Sequence, residues 1–384
     1  MPNPSDANPG IQPLRIVHVI RDGGGTAAVE LTVATKLRNR GHHVTVFGPP
    51  EVRDDTTRAG FELELLEWSP QRRREPEDLT PRMIAAAVPW AQQLMPVLRG
   101  QADVMVADCT AFGALMAARI TGTVSASMMP TVYVAGRQDS QAAELQDAWA
   151  AARAGINRAR AELGLGTIVS VTEQIIDADV LLMLTAHAFE LPKVQPPANA
   201  QYVGPQLPRG ASTTFTLPEG TEPLVLVSLS TSDQSQEGVL QRIIDALRSL
   251  RVRAVVTVGP AVDLVGLRAP EHVQLERFVP HDAVLRDADL VITHAGHGTV
   301  MAAVSAGVPL VCVPMGRDQP AVASRVEHHG LGVSVDPNAS EDTLRTAIER
   351  VLGDSSYRTA AEKMAAQLEP DDRVATVIES LTGA

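Results

Sequence analysis

Short apolar, β-branched runs separated by stretches of helical spacing recur along nearly the whole chain, and that alternation restricts the fold more than any other feature. LRIVHVI (14–20) leads into a helical pattern over 26–39, then HVTVFG (43–48), ADVMVAD (102–108), an Ala-rich helix near 112–120 and VLLML (180–184). Strand, helix, strand in this order builds a parallel, doubly wound sheet. The rhythm restarts with PLVLVSL (223–229), RAVVTVG (253–259), HVQLERF (272–278), ADLVITH (288–294), VPLVCVP (308–314) and LGVSVD (331–336). Strands this continuously apolar belong to sheets covered on both faces. Between the two series Pro205, Pro208, Gly210, Pro218, Gly220 and Pro223 fall in one polar stretch, the punctuation expected between packed units.

A chain of 384 residues is also long for a single core. The reading is therefore a first α/β domain over 14–205, a linker over 206–222, a second α/β domain over 223–364, and a terminal helix over 365–384 packing back on the first. Two such halves create a cleft between the carboxyl ends of two sheets, where open α/β folds place ligands. The opening MPNPSDANPGIQP (1–13) is polar and Pro-rich, lacks the parts of a secretion signal, and reads as a disordered leader.

Composition removes several function classes. A formal net charge of −12 makes nucleic acid and anionic membranes poor partners, although a small anion can bind where local dipoles outweigh the average field. No apolar run approaches the roughly 20 residues of a membrane helix. Cys109 and Cys312 form neither a disulfide framework nor a CxxC metal pattern, and read as buried thiols in a reducing, cytoplasmic compartment. The arginines of WSPQRRREPEDLTP read as a solvated turn, and Met128, Met129, Tyr133 and Trp149 as either an apolar pocket or plain core.

Chemistry concentrates between Phe278 and Gln319. ADLVIT is a buried strand that runs into His294-Ala295-Gly296-His297-Gly298-Thr299, with a helix directly after. Glycines there let backbone approach a ligand, and the free N–H groups and positive end of the helix attract phosphate oxygens. His294 can add a ring N–H and Thr299 a hydroxyl. Downstream, Asp318 and Gln319 carry the groups that read sugar hydroxyls, although an Asp at that point equally suits a helix N-cap.

FVPH, HAGHGT, GVPLVCVPMGRDQ and SRVEHHGLGV together resemble the donor-binding signature of family 1 glycosyltransferases, which include plant secondary-metabolite and bacterial macrolide and antibiotic glycosyltransferases. A weaker likeness extends from Leu14 over almost the whole chain. The resemblance implies a GT-B fold, two Rossmann-like domains with the acceptor held by the first and a UDP- or dTDP-sugar by the second. It implies Phe278 stacking on the nucleobase, Val279 reading its edge through the backbone, and Thr231 facing the phosphates. His294 with Gly296, His297, Gly298 and Thr299 would hold the diphosphate, and Asp318 and Gln319 the sugar. It implies no metal and no cofactor beyond the nucleotide sugar as co-substrate, inversion at the anomeric carbon, and a monomer or homodimer. One departure is Ala302, where the family carries a glutamate for the ribose.

A second departure concerns the base. The family uses a histidine after the first strand; in RDGGGTAAVE its position falls on Thr26, which is no base at neutral pH. Asp108 matches the aspartate that orients that histidine and is the leading candidate, directly or through water, with Asp22 second. A carboxylate base suits a phenol, an amine or an activated aromatic carbon. Alternatives are a silent donor-binding partner of another enzyme, or involvement of His18, which otherwise reads as a satisfied core histidine. Gly23, Gly25 and Ala28 also fit G-x-G-x-x-A, the mark of an NAD(P)-dependent oxidoreductase, but the second strand ends in HVTVFGPP without the acid such a site needs for the ribose.

Overall fold

The computed structural model describes residues 12–21, 25–67, 79–133, 152–208, 215–230, 234–259 and 262–383. Asp22, Gly23, Thr231, Trp149, most of the leader and of the arginine-bearing loop, and part of the linker lie outside these residues. The chain divides into two compact units. One comprises Met1–Thr185, Val194–Gln206 and Glu369–Ala384, the other Ala186–Lys193 and Leu207–Leu368.

The first unit holds β1 (Arg15–Val19), α1 (Thr26–Asn39), β2 (His43–Gly48), α2 (Arg53–Arg58), β3 (Leu63–Leu65), α3 (Leu79–Gln101), β4 (Val104–Asp108), α4 (Phe112–Thr121), β5 (Val124–Met129), a helix over 152–162 (α5), α6 (Val171–Ile175), β6 (Val180–Met183) and β7 (Ala200–Tyr202). Its seven strands are ordered β3-β2-β1-β4-β5-β6-β7, and every pairing is parallel. Alternation along β1 and β4 sends side chains to two cores. Val17, Val19, Met105 and Ala107 pack with Trp90 of α3 and Phe112 of α4, whereas Ile16, Val104 and Val106 pack with Val33 and Leu37 of α1. Helices α3 and α4 approach closely because residue 113 is glycine; a Cβ there would stand 2.3 Å from the Ala87 carbonyl oxygen. Met128, Met129 and Tyr133 are buried, which favours the core reading over a pocket.

The second unit contains β8 (Leu224–Ser228), α7 (Glu237–Leu247), β9 (Arg253–Thr257), β10 (Val273–Glu276), α8 (Asp282–Leu285), β11 (Leu290–Thr293), α9 (His297–Ser305), β12 (Leu310–Cys312), α10 (Gln319–His328), β13 (Gly332–Ser334), α11 (Glu341–Gly353) and α12 (Ser355–Ala365). Its six strands, ordered β10-β9-β8-β11-β12-β13, are again all parallel. β8 and β11 are buried at every position.

Two boundaries differ from the sequence reading. Ala186–Lys193, read as part of the first domain, groups with the second unit. The reason is a buried ion pair: Arg325 Nε on α10 donates to Glu190 Oε1 at 2.6 Å, and His329 Nε2 meets the Phe189 carbonyl at 3.1 Å. The chain crosses back at Glu369, and α13 (Arg373–Ser380) sets Val374, Ala375 and Ile378 into the α1-side core of the first sheet. Glu379 accepts from Arg40 Nε at 3.0 Å and pairs with His42 Nε2 at 3.0 Å. Burial raises its pKa, but the bonds from Arg40 and His42 outweigh this and hold the carboxyl below the usual glutamate range.

Removing one partner of a buried ion pair strands the other, at a cost of about 3–5 kcal/mol. Arg325→Met is therefore expected to lower the urea midpoint of the second unit, and Arg325→Met with Glu190→Leu to recover most of the loss. Because the folded pKa of Glu379 is depressed, its stabilisation is present above the unfolded value and lost as pH falls through the glutamate range, about pH 4. Thermal unfolding should accordingly show Glu379→Gln less stable than wild type at pH 7, with the gap narrowing as pH falls below about 4.

Candidate functional site

In the second unit the segments after β10, β11 and β12 carry the described residues singled out by sequence. β11 ends at Thr293, His294 follows with its ring largely buried, and Ala295 turns the chain in the left-handed region at φ 64°. A non-glycine residue held at positive φ is a backbone cost that surrounding packing must sustain, and such positions gather at functional turns. Gly296 then takes the N-cap of α9, where no side chain caps the helix. A Cβ at Gly296 would stand 2.5 Å from His294 Nε2, so glycine is what lets the ring lie over the helix entrance. Together His294, Gly296, exposed Gly298 and half-buried Thr299 frame an uncapped helix N-terminus, whose first N–H groups lack intrahelical acceptors.

The histidines here are neutral donors or acceptors. Burial pushes His294 down to about 4, against the hydrogen bond to the Ser228 backbone and with the charge of Arg317 adding to the fall. His297, the first residue of α9, points inward; its Nε2 is buried without a hydrogen-bond partner, and burial with nearby Arg325 brings it to about 3. It contributes its backbone to the helix entrance while its ring belongs to the interior.

Phe278 follows β10 and is 76% exposed, although it is aromatic; Val279 beside it is buried. An exposed ring on a rigid, buried neighbour is the arrangement of a stacking platform. His281, in the same FVPH segment, bonds Ser228 Oγ through Nε2 at 3.1 Å, and burial lowers its pKa. Ser228 thus ties the FVPH segment and the His294 turn to the end of β8.

After β12, Gly316 at φ 145° and Arg317 at φ 57° bend the chain before α10. Asp318 stands at the N-cap position, yet its side chain makes no capping bond, so the N-cap account does not explain it. Gln319 is buried, its Oε1 accepting from Met315 N at 2.7 Å and its Nε2 donating to Gln234 Oε1 at 2.9 Å. Its first task is clamping the loop, which leaves one amide hydrogen and one lone pair for a ligand. Gln234 continues to Ser230 Oγ at 2.7 Å, and Gln236 Nε2 to the Ser230 carbonyl at 2.8 Å. These glutamines connect the loops after β8 and β12, and sequence reading did not single them out. Their signal was only a polar QSQ run, indistinguishable from a solvated loop.

In the first unit, Thr26 opens α1, half-buried. Asp108 is fully buried, with Oδ1 accepting from Thr110 N at 2.8 Å and standing 2.9 Å from Arg21 Nε. A carboxylate without exposed surface suits proton transfer by relay rather than direct contact. His18 is buried, and neither ring nitrogen makes a well-aligned hydrogen bond, which corrects its reading as a satisfied core histidine; burial brings it to about 4, against a weak bond to the Glu30 backbone. Among the described residues no group of His, Cys, Asp and Glu is arranged to hold a metal, and no helix is long and apolar enough to cross a membrane.

Comparison with known proteins agrees with this layout. Residues 241–382 match the family described as erythromycin biosynthesis protein CIII-like, C-terminal domain. Over 96% of its length the chain is 26% identical to 99% of the 4'-demethylrebeccamycin synthase of Lentzea aerocolonigenes. Among solved structures, the glycosyltransferase of kitacinnamycin superposes with a TM-score of 0.80 at 25% identity, covering 97% of this chain and 99% of that one. A spinosyn rhamnosyltransferase complexed with thymidine diphosphate shares the fold with a TM-score of 0.72 at 18% identity, over 95% of this chain and 100% of that one. Two parallel α/β units and these likenesses give the chain the GT-B fold, and the proteins it resembles are glycosyltransferases of the natural-product, antibiotic-biosynthesis type.

Proposed function

We propose that the chain transfers a sugar, with inversion, from a UDP- or dTDP-sugar to a small natural-product acceptor. The observation that carries this reading is the uncapped entrance of α9 with the neutral His294 ring over Gly296, downstream of the exposed Phe278 ring. A diphosphate suits the helix N-terminus, where backbone N–H groups and the helix dipole supply positive potential without a metal. A nucleobase suits Phe278, and Asp318 with the remaining capacity of Gln319 suits sugar hydroxyls. The thymidine diphosphate held by a protein of the same fold supports the choice of ligand class.

In the transfer, the acceptor's lone pair forms the new bond to the anomeric carbon. The bond from that carbon to the diphosphate oxygen breaks, and its electron pair leaves on the diphosphate. The acceptor's proton passes by relay toward Asp108. A buried carboxylate in place of a histidine suits an acceptor that is already acidic or nucleophilic, such as a phenol or an amine. A second reading, a donor-binding partner that does not itself transfer, draws on one observation: Thr26 stands where the base is expected. The chain acts, in this proposal, as a cytoplasmic monomer or homodimer.

Calorimetric titration with UDP and dTDP, with and without EDTA, tests the donor site. Wild type is expected to bind in both conditions. A hydrogen bond to a charged group contributes about 1.5–3 kcal/mol, so His294→Ala should weaken binding by roughly tenfold or more. Loss of base stacking, about 1–3 kcal/mol, should weaken Phe278→Ala by roughly fivefold or more, without a fall in melting temperature because the ring is exposed. No nucleotide binding by wild type would overturn the proposal. Binding without transfer to any of a panel of phenols and amines would favour the silent partner.

A further inference from the structure

Helix α1 buries Ala27, Leu31, Ala34 and Leu37 at helical spacing, and Glu30 stands in the same buried stripe. A glutamate there faces the end of β1 and β4. Alternation along those strands directs His18 and Asp108 to the α1 side, in phase with Ile16 and with Val104 and Val106. The resulting cluster is His18 from β1, Arg21 just beyond it, Glu30 from α1, and Asp108 and Cys109 at the end of β4, all buried.

Its hydrogen bonding is incomplete at His18 and at both acids. Glu30 Oε2 accepts from Arg21 N at 3.3 Å, and Asp108 Oδ1 accepts from Thr110 N at 2.8 Å beside Arg21 Nε. Glu30 Oε1 and Asp108 Oδ2 are both buried and lack a partner, although the two carboxyls are within hydrogen-bonding reach of each other. Two ionised carboxylates cannot bond to one another. Charge points the same way. His18 is neutral, burial and the Asp108 carboxylate keep the Cys109 thiol protonated, and among the described residues Arg21 is the one positive group facing the two acids. A single proton between the acids makes the cluster neutral and satisfies both orphaned oxygens at once.

We propose that Glu30 is a carboxylic acid at neutral pH, that its Oε1–H donates to Asp108 Oδ2, and that it is thereby the positioning residue that holds the Asp108 carboxyl aimed. This rests on the reading that Asp108 serves the acceptor's proton. Burial, then the neighbouring Asp108 charge, raises the Glu30 pKa well above its ordinary value, which agrees with the geometry. Glu30 takes the place in the cluster that a base-orienting partner occupies in a hydrogen-bonded dyad, with an acid as donor.

Infrared difference spectra of protein carrying ¹³C-labelled glutamate, wild type minus Glu30→Gln at neutral pH, test the proton directly. The expected result is the carbonyl band of a protonated carboxylic acid in wild type that the variant lacks. Absence of that band overturns the proposal. A raised folded pKa makes the wild type lose stability as pH climbs from the unfolded value, so the melting temperature of Glu30→Gln relative to wild type should rise with pH from about 4.5. A pH-independent difference would count against it. In transfer assays Glu30→Ala should lower kcat at least tenfold at unchanged donor KM, and Glu30→Gln, which keeps a donor, should recover most of that loss; equal losses would overturn the positioning role. If Glu30→Ala does not fold, the infrared comparison with Glu30→Gln decides. Should no form transfer sugar, the functional reading fails while the infrared result still settles the proton.

Discussion

Parallel strands that are buried on both faces leave little choice about where chemistry can stand. β1, β4, β8 and β11 bury apolar side chains along their length, so most polar groups are left to the places where the strands run out, His18 inside β1 being an exception. In both units the candidate residues lie just there: Asp108 and Arg21 beyond the first sheet's central strands, His294 and Ser228 at those of the second. The placement of function at carboxyl ends of strands follows from this burial, as in open α/β sheets generally.

The two units use that position differently. In the second, the backbone does most of the work: a left-handed alanine, a glycine that admits the His294 ring, and a helix left without a cap. Each feature is a local cost whose common outcome is an open, positively polarised entrance. The glutamines hold the segments after β8 and β12 to one another, which pre-organises the frame beside that entrance. In the first unit the polar groups are sealed in the interior, where low dielectric makes every unpaired charge expensive and so dictates protonation as strictly as packing dictates shape.

Chain crossings between the units are likewise set by a few polar contacts on apolar frames. Glu190 follows Arg325, and Glu379 follows Arg40 and His42, each carboxylate joining a segment to the unit whose basic groups it satisfies. Neither assignment has a signature in hydropathy alone.

What the sequence by itself determined is the architecture and the strand-to-helix turn after β11. The strand–helix rhythm identifies both parallel sheets because two-sided burial writes continuous apolar runs, and α1 and β2 fall at the residues expected, 26–39 and 43–48. β3, β5 and β7 escaped notice: LEL and AQY are three-residue edges, and VSASMM is a strand only because β4 and β6 flank it. HAGHGT was legible as a turn from a strand into a helix because glycines and a helix start leave a local trace. Tertiary structure alone decided that Gln319 clamps a loop, that Asp108 is sealed from solvent, and that Glu30 faces it. Glu30 drew no reading from sequence, because its meaning required β4, 78 residues away at Asp108, to arrive beside it. Pairings of that range depend on how the sheet is ordered, and strand order is a property of the folded chain rather than of any segment within it.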